Sequence, residues 1–138
     1  MIMKRKATAV WNGSGKDGNG KLTTQSGALN NMQYSAKSRF EEGTGTNPEE
    51  LIAAAHAGCF AMKLSFVLQA AGITPDSLDV NAEVTIDNGT ITTSKLVLKA
   101  KIPGISQEKF REAAEDARLN CPVSKVLKAD ISLDASLV

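Results

Sequence analysis

Residues 47–71, NPEELIAAAHAGCFAMKLSFVLQAA, decide how the chain folds. Asn47 suits an N-cap, Pro48 fits the first helical position, and Glu49 and Glu50 put negative charge where the helix dipole favours it. Glu50 can also close a capping box onto Asn47. From Leu51 to Ala71, sixteen of twenty-one residues are apolar, and His56, Gly58, Lys63, Ser65 and Gln69 form no continuous wet face. A helix apolar nearly all round is buried nearly all round. At ~1.5 Å per residue it runs roughly 37 Å, more than a chain of this size readily covers on every side. The small residues Ala53 to Ala55, Ala57, Gly58 and Ala61 would admit a second copy's helix as the missing wall. A membrane span is the rival reading, but Lys63 and His56 would lie at depth and no aromatic belt flanks the segment.

The remainder must cover that helix. With 138 residues and 42% hydrophobic content, one domain over 1–138 is expected. A net charge of +1, with only Lys4, Arg5 and Lys6 adjacent among the basic residues, gives no footprint for nucleic acid. The start, MIMKRKATAVW, lacks the apolar run of a signal peptide, so a cytoplasmic protein is expected, where disulfides are transient or catalytic. Two cysteines there, Cys59 and Cys121, draw attention.

Before the helix, strands are expected over 4–11, 21–26 and 32–40, with the glycine-rich turn NGSGKDGNG at 12–20 and a link at 41–46. After it, Gly72 suits the C′ position. Residues 78–87 and 90–102 alternate as strands about Asn88-Gly89, a hairpin signal. A helix over 107–119 carries Phe110, Ala113, Ala114 and Ala117 on one stripe. Cys121-Pro122 opens a short helix over 122–128, and 130–136 is a last strand. The order predicts an α+β domain with mainly antiparallel sheets. No G-x-G-x-x-G or G-x-x-x-x-G-K-[ST] occurs.

Cys121, just before Pro122 at a helix start, sits where free N–H groups lower a thiol pKa. Cys59, mid-helix, would be raised by desolvation alone. The plain alternative is two small buried hydrophobes. Arg39, expected at a strand end, and Glu49, in the first helical turn, are charges that could rescue a thiolate: the arginine offsets desolvation and the carboxylate fixes its fork. His56, Cys59 and Cys121 could ligate a metal, but the spacing is weak for zinc and a core histidine bonded to a backbone carbonyl is the simpler reading. Serine-nucleophile chemistry has no motif behind it.

SRFEEGTGTNPEELIAAAHAGCFAMKLS at 38–65, with TTQSGALN at 23–30, ITPDSLDV at 73–80 and NCPVSKVLKADISLD at 120–134, resembles the OsmC/Ohr family, most closely its OsmC branch. The resemblance implies an intertwined homodimer built around the long helix. It also implies a thiol-dependent peroxidase of organic hydroperoxides, with hydrogen peroxide as a further substrate, in oxidative or osmotic stress defence. By resemblance Cys59 is the peroxidatic cysteine, Cys121 the resolving one, and Arg39 and Glu49 the charged pair. An external dithiol of lipoyl or similar type would reduce the disulfide, and no bound cofactor is needed. Gly58, where the family favours Ala or Ser, and a short hairpin are minor departures. A non-catalytic dimeric ligand-binding protein is the alternative. Cys59 is expected to be the more acidic thiol through Arg39. Because Glu49 and Cys59 lie about 15 Å apart along one helix, each site is expected to draw on both subunits.

Overall fold

In the computed structural model, which describes residues 1–138, the chain divides into two units, Met1–Leu51 and Ile52–Val138. In the first, β1 (Ala7–Asn12), β2 (Asn19–Thr24) and β3 (Met32–Ser35) form an antiparallel meander. Trp11, Gly20 and Tyr34 stand in line across it. Gly20 is there because a side chain would not fit: a Cβ would lie 2.6 Å from the Tyr34 ring and 2.7 Å from the Trp11 ring. The two rings close over the bare backbone, with centroids 5.3 Å apart and tilted.

The strand expected over 32–40 stops at Ser35. There the Ser35 hydroxyl accepts from the Ser38 N–H at 3.2 Å and the Ser38 hydroxyl accepts from the Ser35 N–H at 2.8 Å. This reciprocal cap starts a helix, α1 (Ala36–Phe40), so Arg39 is helical and not at a strand end. α2 (Pro48–Ala70) begins as expected, the Asn47 Oδ1 accepting from the Glu50 N–H at 2.8 Å. The Glu50 carboxylate does not return to Asn47; it accepts from the Thr46 hydroxyl at 3.2 Å.

In the second unit α2 ends in a Schellman turn, with the Ile73 N–H on the Leu68 carbonyl and the Gly72 N–H on that of Gln69. Gly72 takes the positive φ of 76° that the turn requires. Strands β4 (Ser77–Asp87) and β5 (Thr90–Lys101) pair antiparallel through Asn88 and Gly89, both at positive φ. Helices α3 (Gln107–Asn120) and α4 (Pro122–Val126) then carry the chain to β6 (Asp130–Leu137). β6 lies parallel to β5, the one parallel pair in mainly antiparallel sheets: the helical crossover returns the chain to the end of the sheet where β5 began. The inward row of β5, Ser94, Leu96, Leu98 and Ala100, is buried. It shares a core with Phe60, Leu64 and Leu68 of α2 and Phe110, Ala114 and Ala117 of α3. The outward row pairs opposite charges, Lys95 across from Glu83 and Lys99 across from Asp79.

α2 is not covered on all sides. His56, Phe60, Leu64 and Leu68 are buried, whereas Ala54, Gly58, Met62 and Phe66 form an exposed stripe, with Met62 and Phe66 64% and 60% exposed. The helix is long and apolar enough to cross a membrane by composition, but its buried stripe belongs to the protein core.

Gly20→Ala is expected to destabilise the chain by about 1–3 kcal/mol, because the added methyl must push the Trp11 and Tyr34 rings apart. Urea unfolding followed by Trp11 fluorescence measures the loss and reports the ring displacement.

Candidate active site

Cys121 joins α3 to α4. Its N–H donates to the Ala117 carbonyl at 2.9 Å, and its own carbonyl accepts from the Lys125 N–H at 3.1 Å. Pro122 has no N–H to extend α3 and pushes the residue before it out of the helical region, giving Cys121 ψ 128°. The side chain is fully buried, and its Sγ lies 2.7 Å from the Sγ of half-buried Cys59 on α2. Both sulfurs are free thiols in contact.

Burial pushes the Cys59 thiol pKa up, and the adjoining Cys121 thiol adds to this. The Val123 backbone N–H and, more weakly, the charge of Lys63 one turn along α2 pull it down. Burial wins, so these neighbours alone leave Cys59 above its ordinary value, as desolvation without an adjacent arginine is expected to do.

One turn before Cys59, His56 is completely buried. Its Nδ1 lies 2.6 Å from the Ser94 hydroxyl of β5 and its Nε2 2.8 Å from the Ser124 hydroxyl of α4. The backbone carbonyl expected as its partner is replaced by two serines, each able to donate or accept. Burial pushes the His56 pKa down, which keeps the ring neutral near pH 7. Neither serine stood out in the sequence. The available signal was a polar residue at 94, in the β5 row that continues inward with Leu96, Leu98 and Ala100.

Arg39 and Glu49 meet in the first unit. The Arg39 Nε donates to the Glu49 Oε1 at 2.9 Å, and its guanidinium lies 5.0 Å from the Phe40 ring centroid. The link before α2 is tied down to make this possible. The Ser38 hydroxyl donates to the Thr46 carbonyl at 2.9 Å, the Asn47 amide to the Ser38 carbonyl at 3.0 Å, and the Thr46 N–H to the Gln33 carbonyl at 2.9 Å. Glu49 is buried with Oε2 unpartnered, leaving one acceptor for a second donor. Beside the pair is a cavity of about 240 Å³ walled by Trp11, Tyr34, Phe40, Pro48 and Arg39. No local pattern marks this wall, although the only Trp and only Tyr both fall before α2.

A protein-family model described as OsmC-like protein matches residues 41–136. The chain is 45% identical to peroxiredoxin OsmC of Escherichia coli, the match covering 99% of each. It is 30% identical to organic hydroperoxide resistance protein OhrB of Bacillus subtilis, over 86% of this chain and 88% of that one. Among solved structures, an organic hydroperoxide resistance protein from Elizabethkingia anophelis superposes with a TM-score of 0.76 at 27% identity, covering 100% of this chain and 99% of that one.

The neutral, buried imidazole has a consequence for stability. With its folded pKa below the unfolded value of about 6.5, the unfolded chain binds more protons between the two, so His56 withdraws stability as pH falls through that window. The slope from this one group is at most about 1.4 kcal/mol per pH unit. Urea unfolding between pH 7 and pH 5 should show a steeper acid loss in the native protein than in His56→Gln.

Proposed function

The chain belongs to the OsmC family and is a thiol-dependent peroxidase that reduces hydroperoxides with an external reductant, and we propose that Cys59, Cys121, Arg39 and Glu49 carry the reaction. The observation behind this reading is the 2.7 Å approach of the two sulfurs across two elements. The Cys59 thiolate attacks the terminal peroxide oxygen, forming an S–O bond as the O–O bond breaks. The alkoxide leaves and is protonated to the alcohol, and Cys59 becomes a sulfenic acid. The Cys121 sulfur then displaces hydroxide, which takes up the thiol proton and departs as water. The resulting disulfide is reopened by a small external dithiol of lipoyl or similar type through exchange.

Organic hydroperoxides are the favoured substrates, because aromatic rings wall the cavity beside Arg39. The protein works as a homodimer. The exposed stripe Ala54, Gly58, Met62 and Phe66 is the surface that a second α2 covers, its small residues allowing close approach. Packed antiparallel, the two helices bring the start of one towards the middle of the other. The partner subunit's Arg39, held by the partner subunit's Glu49, then offsets the burial that raises Cys59, and donates to the leaving oxygen. The reducing cytoplasm supplies the dithiol, and peroxide stress sets the need for it.

Peroxide consumption with a dithiol and cumene hydroperoxide tests the roles. Cys59→Ser should abolish turnover. Cys121→Ser should consume one equivalent and accumulate sulfenic acid, and Arg39→Lys should lower kcat/KM by roughly 10²-fold. Retained turnover in Cys59→Ser would sink the assignment. Mixing Cys59→Ser chains with Glu49→Ala chains should restore one intact site per heterodimer; a verified heterodimer without activity would place the whole site within one chain.

A further inference from the structure

The cysteine pair has a second contact in step with it. On α2, His56 precedes Cys59 by three residues; at the α3–α4 corner, Ser124 follows Cys121 by three. Cys59 meets Cys121 at 2.7 Å and His56 meets Ser124 at 2.8 Å, two contacts about 4.5 Å apart along α2. Few other side chains hold α4. Ser124 is its one buried residue, Val123 is half-buried, Val126 is 77% exposed, and Pro122 and Lys125 face solvent. The Ser124 hydroxyl makes the only hydrogen bond formed by a side chain of residues 122–126, beside the Val123 backbone N–H that faces the Cys59 sulfur. His56, by contrast, is completely buried and is also held by Ser94 of β5 through its other ring nitrogen.

We propose that His56 is a positioning residue for disulfide formation: its hydrogen bond to Ser124 latches α4, and with it Cys121, against Cys59, so that the sulfenic acid is captured before a second hydroperoxide reaches it. This rests on the roles assigned to Cys59 and Cys121 above. Two fates compete at the oxidised sulfur. In condensation the Cys59 S–O bond breaks as the S–S bond forms, Cys121 is oxidised as the sulfenic sulfur is reduced, and its proton leaves in water. In overoxidation a second hydroperoxide transfers an oxygen, giving a sulfinic acid and an alcohol. The first is intramolecular, so its rate depends on how well Cys121 is held in line; the second depends only on peroxide concentration. A five-residue helix released from its latch samples other positions and loses that advantage.

The test follows one turnover of the reduced full chain with one equivalent of cumene hydroperoxide and no dithiol. Sulfenic acid is trapped with dimedone at timed intervals, and the disulfide is read by intact mass. Ser124→Ala should form sulfenic acid at the native rate and close the disulfide at least about fivefold more slowly, the worth of one hydrogen bond. Under excess hydroperoxide it should accumulate more sulfinic product. Ser94→Ala removes the other bond to the same ring without freeing α4, and should close the disulfide within about twofold of the native rate. Urea unfolding of both variants shows that each is folded. Native-rate closure in Ser124→Ala would overturn the latch. Equal slowing in both serine variants would overturn it too, since that is the mark of a generally loosened core. If the native protein forms no sulfenic acid on Cys59, the peroxidatic assignment fails and the latch fails with it.

Discussion

A buried imidazole must find a partner for each ring nitrogen, and much of the second unit is arranged to meet that demand. Every fourth residue of α2 from His56 to Leu68 points into the core, but only the first of these is polar. Phe60, Leu64 and Leu68 pack against β5 and α3 by hydrophobic contact alone. His56 instead requires Ser94 where the inward row of β5 otherwise holds apolar side chains, and Ser124 on a helix that buries nothing else. The helix is therefore divided by chemistry: its later turns anchor it, and its earlier ones fix the corner that carries Cys121.

That corner exists because β6 runs parallel to β5. A parallel neighbour cannot be reached by a hairpin, so the chain needs a crossover, and α3 and α4 provide it. Pro122 breaks the crossover where Cys121 must turn inward. The extended backbone it imposes aims a buried thiol at α2 while the flanking hydrogen bonds, Cys121 to Ala117 and Lys125 to Cys121, keep the joint closed. Fold topology and thiol chemistry thus share one short segment.

Each unit has its own electrostatic imbalance. Around Cys59, burial outweighs the Val123 N–H and the Lys63 charge, and the thiol is held in its protonated form more firmly than a free cysteine. In the first unit, Arg39 is engaged through one nitrogen, and the buried Glu49 keeps an oxygen free for another donor. A thiolate short of positive charge and an arginine with donors to spare are matched requirements. In the proposed dimer, the apolar stripe left open on α2 is the surface through which two copies would satisfy them.

Much of this was written locally. Asn47, Pro48 and Gly72 bound α2 because caps depend on the backbone needs of a few adjacent residues, and Asn88-Gly89 makes its hairpin because both residues tolerate positive φ. The cysteines, Arg39 and Glu49 were also legible, by residue type and by family resemblance. What escaped was one local competition and several contacts between residues far apart in the chain. The 32–40 stretch carries strand-forming residues, yet a capping box between Ser35 and Ser38 ends β3 and makes Arg39 helical. The parallel course of β6, the serines facing His56 and the aromatic cavity beside Arg39 each join elements whose proximity no local pattern encodes. The sequence by itself determined the bounds of the long helix, the main hairpin turn and which groups could do chemistry, because those follow from short-range backbone preference and side-chain type. Only the tertiary structure decided which of those groups touch, because contact between distant segments is set by how the whole core closes.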